Sequence, residues 1–311
     1  MMTKVTTILT AVIVLAGIGF ADSFGTGANQ FDIDFVDISA GTNPTHDYGV
    51  VDYNYRMSTY EVTNDQWNKF KAEYGAVTGD PSSAYDESPT FTGSSVPTNE
   101  ISWYEAAQFV NYLNVSSGYQ AAYKFTGTQG TGNYAFDMWS EIDAWEGENL
   151  YRHKDAHYFL PTENEWVKAA YWNGSQLQTY ATKAGDSRHR GDGASGAGGS
   201  DYYGGYATSP VGPGDIGSGS EELNGTYDMM GNALEWLESP DSDENYGVGS
   251  SRGLQGGVYY YGAANLASSI RQNGGPYYEG TGVGFRVASI PEPATLALLG
   301  IGGLMIRRRR Q

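Results

Sequence analysis

The sequence predicts a mixed domain of short strands and well-capped helices joined by long loops, and three observations carry that expectation. Gly49 to Tyr60 alternates Val51, Tyr53, Tyr55 and Met57 on one face, which is the two-residue period of a half-buried strand. Three later segments share the grammar of a helix start. Composition supplies the third observation: 43 glycines and 25 tyrosines with 17% charged residues fit a loop-rich fold with aromatic clusters.

The elements follow in order. Thr63 is placed to cap a helix with Gln66 three residues on; Trp67, Phe70 and Tyr74 then fall at i, i+3 and i+7, and Gly75 closes it. Ser102 with Glu105 opens a second helix whose Ala106, Phe109, Val110 and Leu113 form an apolar stripe. Thr162 with Glu165 opens a third, carrying Trp166, Ala169 and Ala170. The turns Val96-Pro97 and Leu160-Pro161 lie ahead of the last two caps, and a residue before proline is pushed out of the helical region.

Two stretches resist this grammar. Residues 115–157 hold Met138-Trp139, Trp145, and His153 and His157 four apart with Asp155 between them. On a helix the two histidines would share a face and could share a metal; in an extended segment leading to Pro161 they would simply be half-exposed. Gly185 to Gly219 is glycine- and serine-rich with Asp186, Asp192, Asp201 and Asp215 scattered through it, which by composition alone reads as a flexible linker.

Both ends read as addresses. Lys4, the apolar run from Ile8 to Phe20 and the Gly19-Phe20-Ala21 cleavage pattern before Asp22 make residues 1–21 a secretory signal peptide. A spanning anchor is the competing reading, and the run falls short of the roughly 20 residues it needs. At the other end Pro291-Glu292-Pro293 precedes an apolar segment from Ala294 to Ile306, closed by Arg307 to Arg310. Such a helix is about 20 Å long against a hydrocarbon core of about 30 Å, so it touches the membrane transiently with its arginines on the cytoplasmic side.

Charge and sulfur narrow the function. Without the two terminal segments 13 basic and 35 acidic residues remain, a formal charge of −22 that repels nucleic acid and anionic headgroups and favours cations. No cysteine is present, so no disulfide supports an exported fold. The four histidines, His46, His153, His157 and His189, are scattered, and no nucleophile elbow, Walker loop or dinucleotide fingerprint occurs.

Several motifs in order resemble one family. Tyr60-Glu61-Val62-Thr63-Asn64, Val96-Pro97 with Ile101-Ser102-Trp103, Leu160 to Trp166, Thr226 to Trp236, Gly256-Gly257 and Gly284-Phe285-Arg286-Val287 together resemble the formylglycine-generating enzyme, or sulfatase-modifying factor, family. The resemblance spans residues 49–288, leaving 22–48 as an N-terminal lead-in and 289–311 as a terminal signal. It implies a compact, irregular α+β fold related to the C-type lectin fold. The terminal signal itself resembles the PEP-CTERM sorting signal, which implies an exosortase-type processing enzyme as partner and the envelope, outer surface or matrix of a Gram-negative bacterium as destination.

The resemblance also implies sites. Asp228, Gly231, Ala233 and Glu235 stand at the positions of one calcium site, and Asp192, Gly193, Asp201 and Tyr203 near those of another. Oxygen-only donors on a glycine-permissive backbone suit Ca²⁺. The family's chemistry, oxidation of a substrate cysteine by copper held on two thiolates, finds Tyr261 and Leu266 at the two cysteine positions. Neither is a soft donor for Cu(I), so copper is not expected. The expectation is a non-catalytic, calcium-stabilised surface protein binding exopolysaccharide, glycan or another surface protein, with Tyr259 to Tyr261, Tyr277 and Tyr278 as a candidate surface. The alternative is an enzyme of the family with altered chemistry.

Overall fold

The computed structural model describes residues 21–45, 48–190, 201–202, 212–241 and 246–291. The N-terminal part consists of β1 (Ala21–Phe24), β2 (Phe31–Ile38), β3 (Tyr55–Ser58), α1 (Asn64–Tyr74) and α2 (Trp103–Ser116). Four short strands follow, β4 (Lys124–Thr126), β5 (Ala135–Asp137), β6 (Ala144–Trp145) and β7 (Asn149–His153), before β8 (Tyr158–Phe159) and α3 (Glu163–Tyr171). The remainder runs through β9 (His189–Arg190), β10 (Asp201–Tyr202), β11 (Leu234–Pro240), β12 (Arg252–Gln255), β13 (Gln272–Gly274), β14 (Val283–Gly284) and β15 (Ala288–Ser289).

All three helices begin where the sequence places them. In each, the cap hydroxyl of Thr63, Ser102 or Thr162 accepts a hydrogen bond from the backbone N–H three residues on, and the side chain there accepts one from the cap's own N–H. Two otherwise orphaned donors are satisfied at each start. Gly75 ends α1 with φ of 90°, a conformation that glycine adopts without strain. Ser102 is fully buried, and its hydroxyl also donates to the Ala84 carbonyl at 2.7 Å. Ser102→Ala is therefore expected to cost about 1–2 kcal/mol, read as a lower urea midpoint; an unchanged midpoint would show that the capping box does not hold α2.

Two sheets organise the chain. One has the order β1-β2-β3-β15-β8, the other β13-β12-β11-β14, where β11 pairs antiparallel with β12 and parallel with β14. The first brings both ends of the described body together, because β3 lies between β2 and β15. Residues 22–48 are thus more than a lead-in: β1 and β2 supply two of its five strands. Phe31, Ile33 and Phe35 point inward while Asp32 and Asp34 point to solvent, an alternation that holds over the first five residues of β2. The strand expected over 49–60 is paired only at Tyr55–Ser58. Ahead of it the Val51 N–H is bound by the Asn43 side chain at 3.0 Å instead of by a neighbouring strand.

Residues 115–157 form two small hairpins, β4–β5 and β6–β7. His153 closes β7 with its ring edge-on to Trp139, and His157 stacks on Tyr119 at 4.3 Å in the turn before β8. They share no helix face, which removes the geometry needed for a two-histidine metal site. Among the described residues no group of three or more His, Cys, Asp or Glu side chains has the arrangement of a metal site.

The core falls into two apolar clusters. Trp67 and Phe70 of α1, Trp103 and Phe109 of α2, and Trp236 and Phe285 from the C-terminal part fill the first. Trp166, Val167, Ala169 and Ala170 of α3 pack with Tyr55, Met57, Phe159 and Leu266 in the second. Long-range indole bonds tie the halves together: Trp103 donates to the Leu237 carbonyl at 3.0 Å and Trp236 to the Ile101 carbonyl at 2.7 Å.

Candidate functional site

The loop from Thr226 to Ala233 enters β11 through three left-handed residues, Asp228 (φ 60°), Gly231 (φ 103°) and Asn232 (φ 57°). Two of them are not glycine, and such backbone persists only where its surroundings hold it. Here they do. Asp228 accepts from the Gly217 N–H at 2.7 Å, and Asn232 donates to Glu61 at 2.7 Å while accepting from the Gly214 N–H at 2.9 Å. Glu61 also accepts from the Ala233 N–H at 2.9 Å.

Around this loop lies a concentration of buried charge. Glu235 is fully buried, with Arg286 bonded to both its oxygens at 2.7 Å and the Trp166 indole donating to Oε2 at 2.7 Å. Arg286 also reaches the Ser58 carbonyl at 3.1 Å and the Tyr227 carbonyl at 2.9 Å, so one guanidinium sews three segments together. Burial, then the nearby charges of Asp228 and Glu235, drive the Glu61 carboxyl well above its ordinary range. Glu222 is driven the same way, chiefly by burial and then by Asp228 and Glu235. Its Oε2 accepts from the Met229 N–H at 2.9 Å, but its buried Oε1 has no hydrogen-bond partner.

Of the four residues expected at one calcium site, Asp228, Gly231 and Ala233 lie in this loop and Glu235 near the start of β11, which the loop enters, with unequal freedom. Among the described residues nothing donates to the Gly231 or Ala233 carbonyls. Glu235 is largely committed: Oε2 takes two donors and Oε1 one, which leaves one lone pair on Oε1. Glu61, Glu222 and Glu235 share the single guanidinium of Arg286, with Asp228 beside Glu61 and Glu222, and one Glu222 oxygen is orphaned. The four carboxylates do not form a metal site by themselves; Asp228, the spare lone pair of Glu235 and the two carbonyls are the oxygen donors of the kind a hard divalent cation takes. Of the other expected site, Asp192, Gly193 and Tyr203 lie outside the described residues; Asp201 begins β10, paired in parallel with His189.

Tyr261 and Leu266 meet across Gly257. A side chain at Gly257 would strike both, lying 2.4 Å from a Leu266 methyl and 3.3 Å from the Tyr261 ring. Leu266 is 1% exposed, and the Tyr261 hydroxyl donates to Gln272 at 3.1 Å. The space between the two positions is filled by a phenol ring and a leucine side chain, and no sulfur faces it. Copper does not fit this donor set.

Beside it runs an aromatic strip. Phe91, Tyr259, Tyr260 and Tyr261 follow one another edge to face, with centroids 5.3, 5.0 and 5.2 Å apart. Tyr260, Tyr277 and Tyr278 are each about half exposed, at 52%, 54% and 50%. Of the sorting motif, Pro291 is described and Glu292 and Pro293 are not.

A family model described as the sulfatase-modifying factor enzyme 1-like domain matches residues 4–290. The chain belongs to the sulfatase-modifying factor family. A second model, the PEP-CTERM protein-sorting motif, matches residues 289–310, so this sulfatase-modifying factor domain carries the export signal of an exosortase-type system that sorts to the cell envelope. No curated protein matches the chain. Three solved structures share the compact α+β fold of the family. The Treponema denticola variable protein 1 matches at 20% identity and a TM-score of 0.58, over 87% of this chain and 99% of that one. CarF matches at 20% identity and 0.56, over 84% and 99%. PvdO from Pseudomonas aeruginosa matches at 15% identity and 0.53, over 87% and 98%.

The buried acids Glu61 and Glu222 are functional candidates that sequence reasoning missed. Glu61 stands within one of the quoted motifs, between Tyr60 and Val62, and a carboxylate inside an apolar helix approach was the available signal. Glu222 lies in a polar stretch, Ser220-Glu221-Glu222, with no such signal.

Proposed function

We propose that this exported sulfatase-modifying factor domain is a non-catalytic, calcium-stabilised surface protein that binds through its tyrosine strip. One observation carries the reading: where the family's copper chemistry needs two thiolates, Tyr261 and Leu266 pack together across Gly257. A phenol and an aliphatic side chain supply no soft donor, so no oxidation is routed through this position.

Calcium would be held by Asp228, the Gly231 and Ala233 carbonyls and the remaining lone pair of Glu235, with Glu61 and Glu222 adding negative charge around it. Its contribution there is structural: it offsets the excess of carboxylates and fixes the left-handed loop in a chain without disulfides. The binding surface follows from chemistry as well. Exposed phenol rings combine apolar area with a hydroxyl and lose little freedom when a partner covers them, which suits a glycan of the exopolysaccharide or another surface protein of a Gram-negative envelope.

The catalytic question has a direct test. The purified protein is incubated with a cysteine-containing sulfatase-motif peptide, copper and oxygen, and the peptide mass is followed. No conversion is expected; loss of sulfur from the peptide with stoichiometric copper on the protein would overturn the reading.

A further inference from the structure

A cleft of about 580 Å³ opens between α3, the loop before β3 and the β6–β7 hairpin, and shares no lining residue with the tyrosine strip. Its volume is that of a small-molecule site. Four aromatic rings wall it, Tyr48, Tyr53, Trp145 and Tyr246. Two are fixed from behind: the Tyr53 hydroxyl donates to Glu165 at 2.6 Å and the Tyr48 hydroxyl to the Ser268 carbonyl at 3.1 Å. Tyr53 also meets Trp145 edge to face at 5.4 Å. The walls are therefore preformed.

The rim is acidic. Asp52, Glu146, Glu148 and Glu163 line the cleft, and the single cation among the lining residues, Arg271, is bound by Glu163. Directly beneath, Arg152 sits between the fully buried Glu165 and Glu238, and Lys168 donates to the Val51 carbonyl at 2.8 Å. Six carboxylates thus face three basic side chains. The formal excess is three negative charges, focused by low-dielectric walls.

The hairpin that closes one side presents this charge at its turn. Trp145 pairs with Asn149 across a three-residue turn in which Glu146 (φ 55°) and Gly147 (φ 73°) are both left-handed, and both glutamates are exposed. Left-handed backbone at a glutamate is unfavourable, and the turn holds it with an indole behind it. Aromatic faces beside carboxylates attract a cation twice over, through the ring quadrupole and through charge. Trp145 already shows this on its inner side, where the Arg152 guanidinium lies 5.4 Å from the ring centroid.

We propose that this cleft binds an organic ammonium ion, its apolar stem against Trp145 and Tyr53 and its charge among Asp52, Glu146 and Glu148. A free polyamine and the amino sugars of a deacetylated polysaccharide both present that chemistry.

The test titrates the full-length protein with spermidine, with a glucosamine trisaccharide and with its fully N-acetylated counterpart, by calorimetry and tryptophan fluorescence. At least one of the two amines binds and the acetylated sugar does not. Binding of spermidine alone identifies a polyamine as the source, and binding of the glucosamine trisaccharide a deacetylated polysaccharide. The double variant Glu146→Gln, Glu148→Gln weakens amine binding at least tenfold with an unchanged melting temperature, because both side chains are exposed, and Trp145→Ala removes the fluorescence response. Equal binding of the acetylated sugar, no binding of either amine, or unaltered affinity in the double variant would overturn the proposal.

Discussion

Arg286→Met is expected to lower the melting temperature by about 10 °C or more, the largest effect of any single substitution considered. The guanidinium is fully buried and makes five hydrogen bonds, two to Glu235 and the rest to the Ser58, Thr59 and Tyr227 carbonyls. Removing one partner of a buried ion pair costs about 3–5 kcal/mol, because the other charge stays behind without compensation. A domain of this size loses roughly 2–4 °C per kcal/mol. Here the carboxylate left behind is not alone, since Glu61 and Glu222 lose the same counter-charge. Thermal melts of the two proteins measure this, and a shift under about 3 °C would mean that Glu235 is neutralised by something other than Arg286.

The second large effect is a coupling between pH and calcium. Glu61 and Glu222 are pushed well above the ordinary carboxyl range, and burial pushes Glu238 up to about 7 despite Arg152 beside it. A carboxyl raised on folding holds its proton more tightly in the folded chain. Its stabilisation is complete below the unfolded value and is lost as pH rises through the folded one. For Glu238 that window runs from about 4.5 to about 7 and is worth about 3 kcal/mol. Glu165, held low against burial by Arg152 and Tyr53, works in the opposite direction and loses stability only as pH falls.

The calcium-free protein is accordingly expected to melt highest near pH 5 and progressively lower towards pH 8. Melts in chelator at 0.3 M salt, which screens the general repulsion of an acidic surface, give the measurement. At the proposed site calcium would bind ionised carboxylates and displace their protons, so its stabilisation is expected to grow as pH rises. At a concentration 100 times its dissociation constant it reaches about 2.7 kcal/mol. A melting temperature indifferent to calcium at pH 8 would remove Asp228 and its neighbours as ligands.

What the sequence made legible was local. Thr63 with Gln66, Ser102 with Glu105 and Thr162 with Glu165 act across three residues, and all three helices start there. The inward Phe31, Ile33 and Phe35 were equally legible as alternation, yet a boundary drawn from motif resemblance at Gly49 left that strand outside the domain. Pairing is not local. Nothing in spacing alone tells that β15 lies between β3 and β8, or that Glu235 meets an arginine 51 positions on. The site divides similarly: Tyr261 and Leu266 could be counted from Gly257, whereas Glu61 and Glu222 became its neighbours only through the fold.

The position of β15 bears on how the protein withstands force. The sorting segment leaves from a strand bonded on both sides, to Met57 and Arg56 on one and to Phe159 and Tyr158 on the other. A pull along the tail loads those bonds together, in shear, instead of unzipping them one by one. Two residues before this strand, the Arg286 clamp resists the same pull. Attached by this end, the domain would withstand flow and drag as a single body.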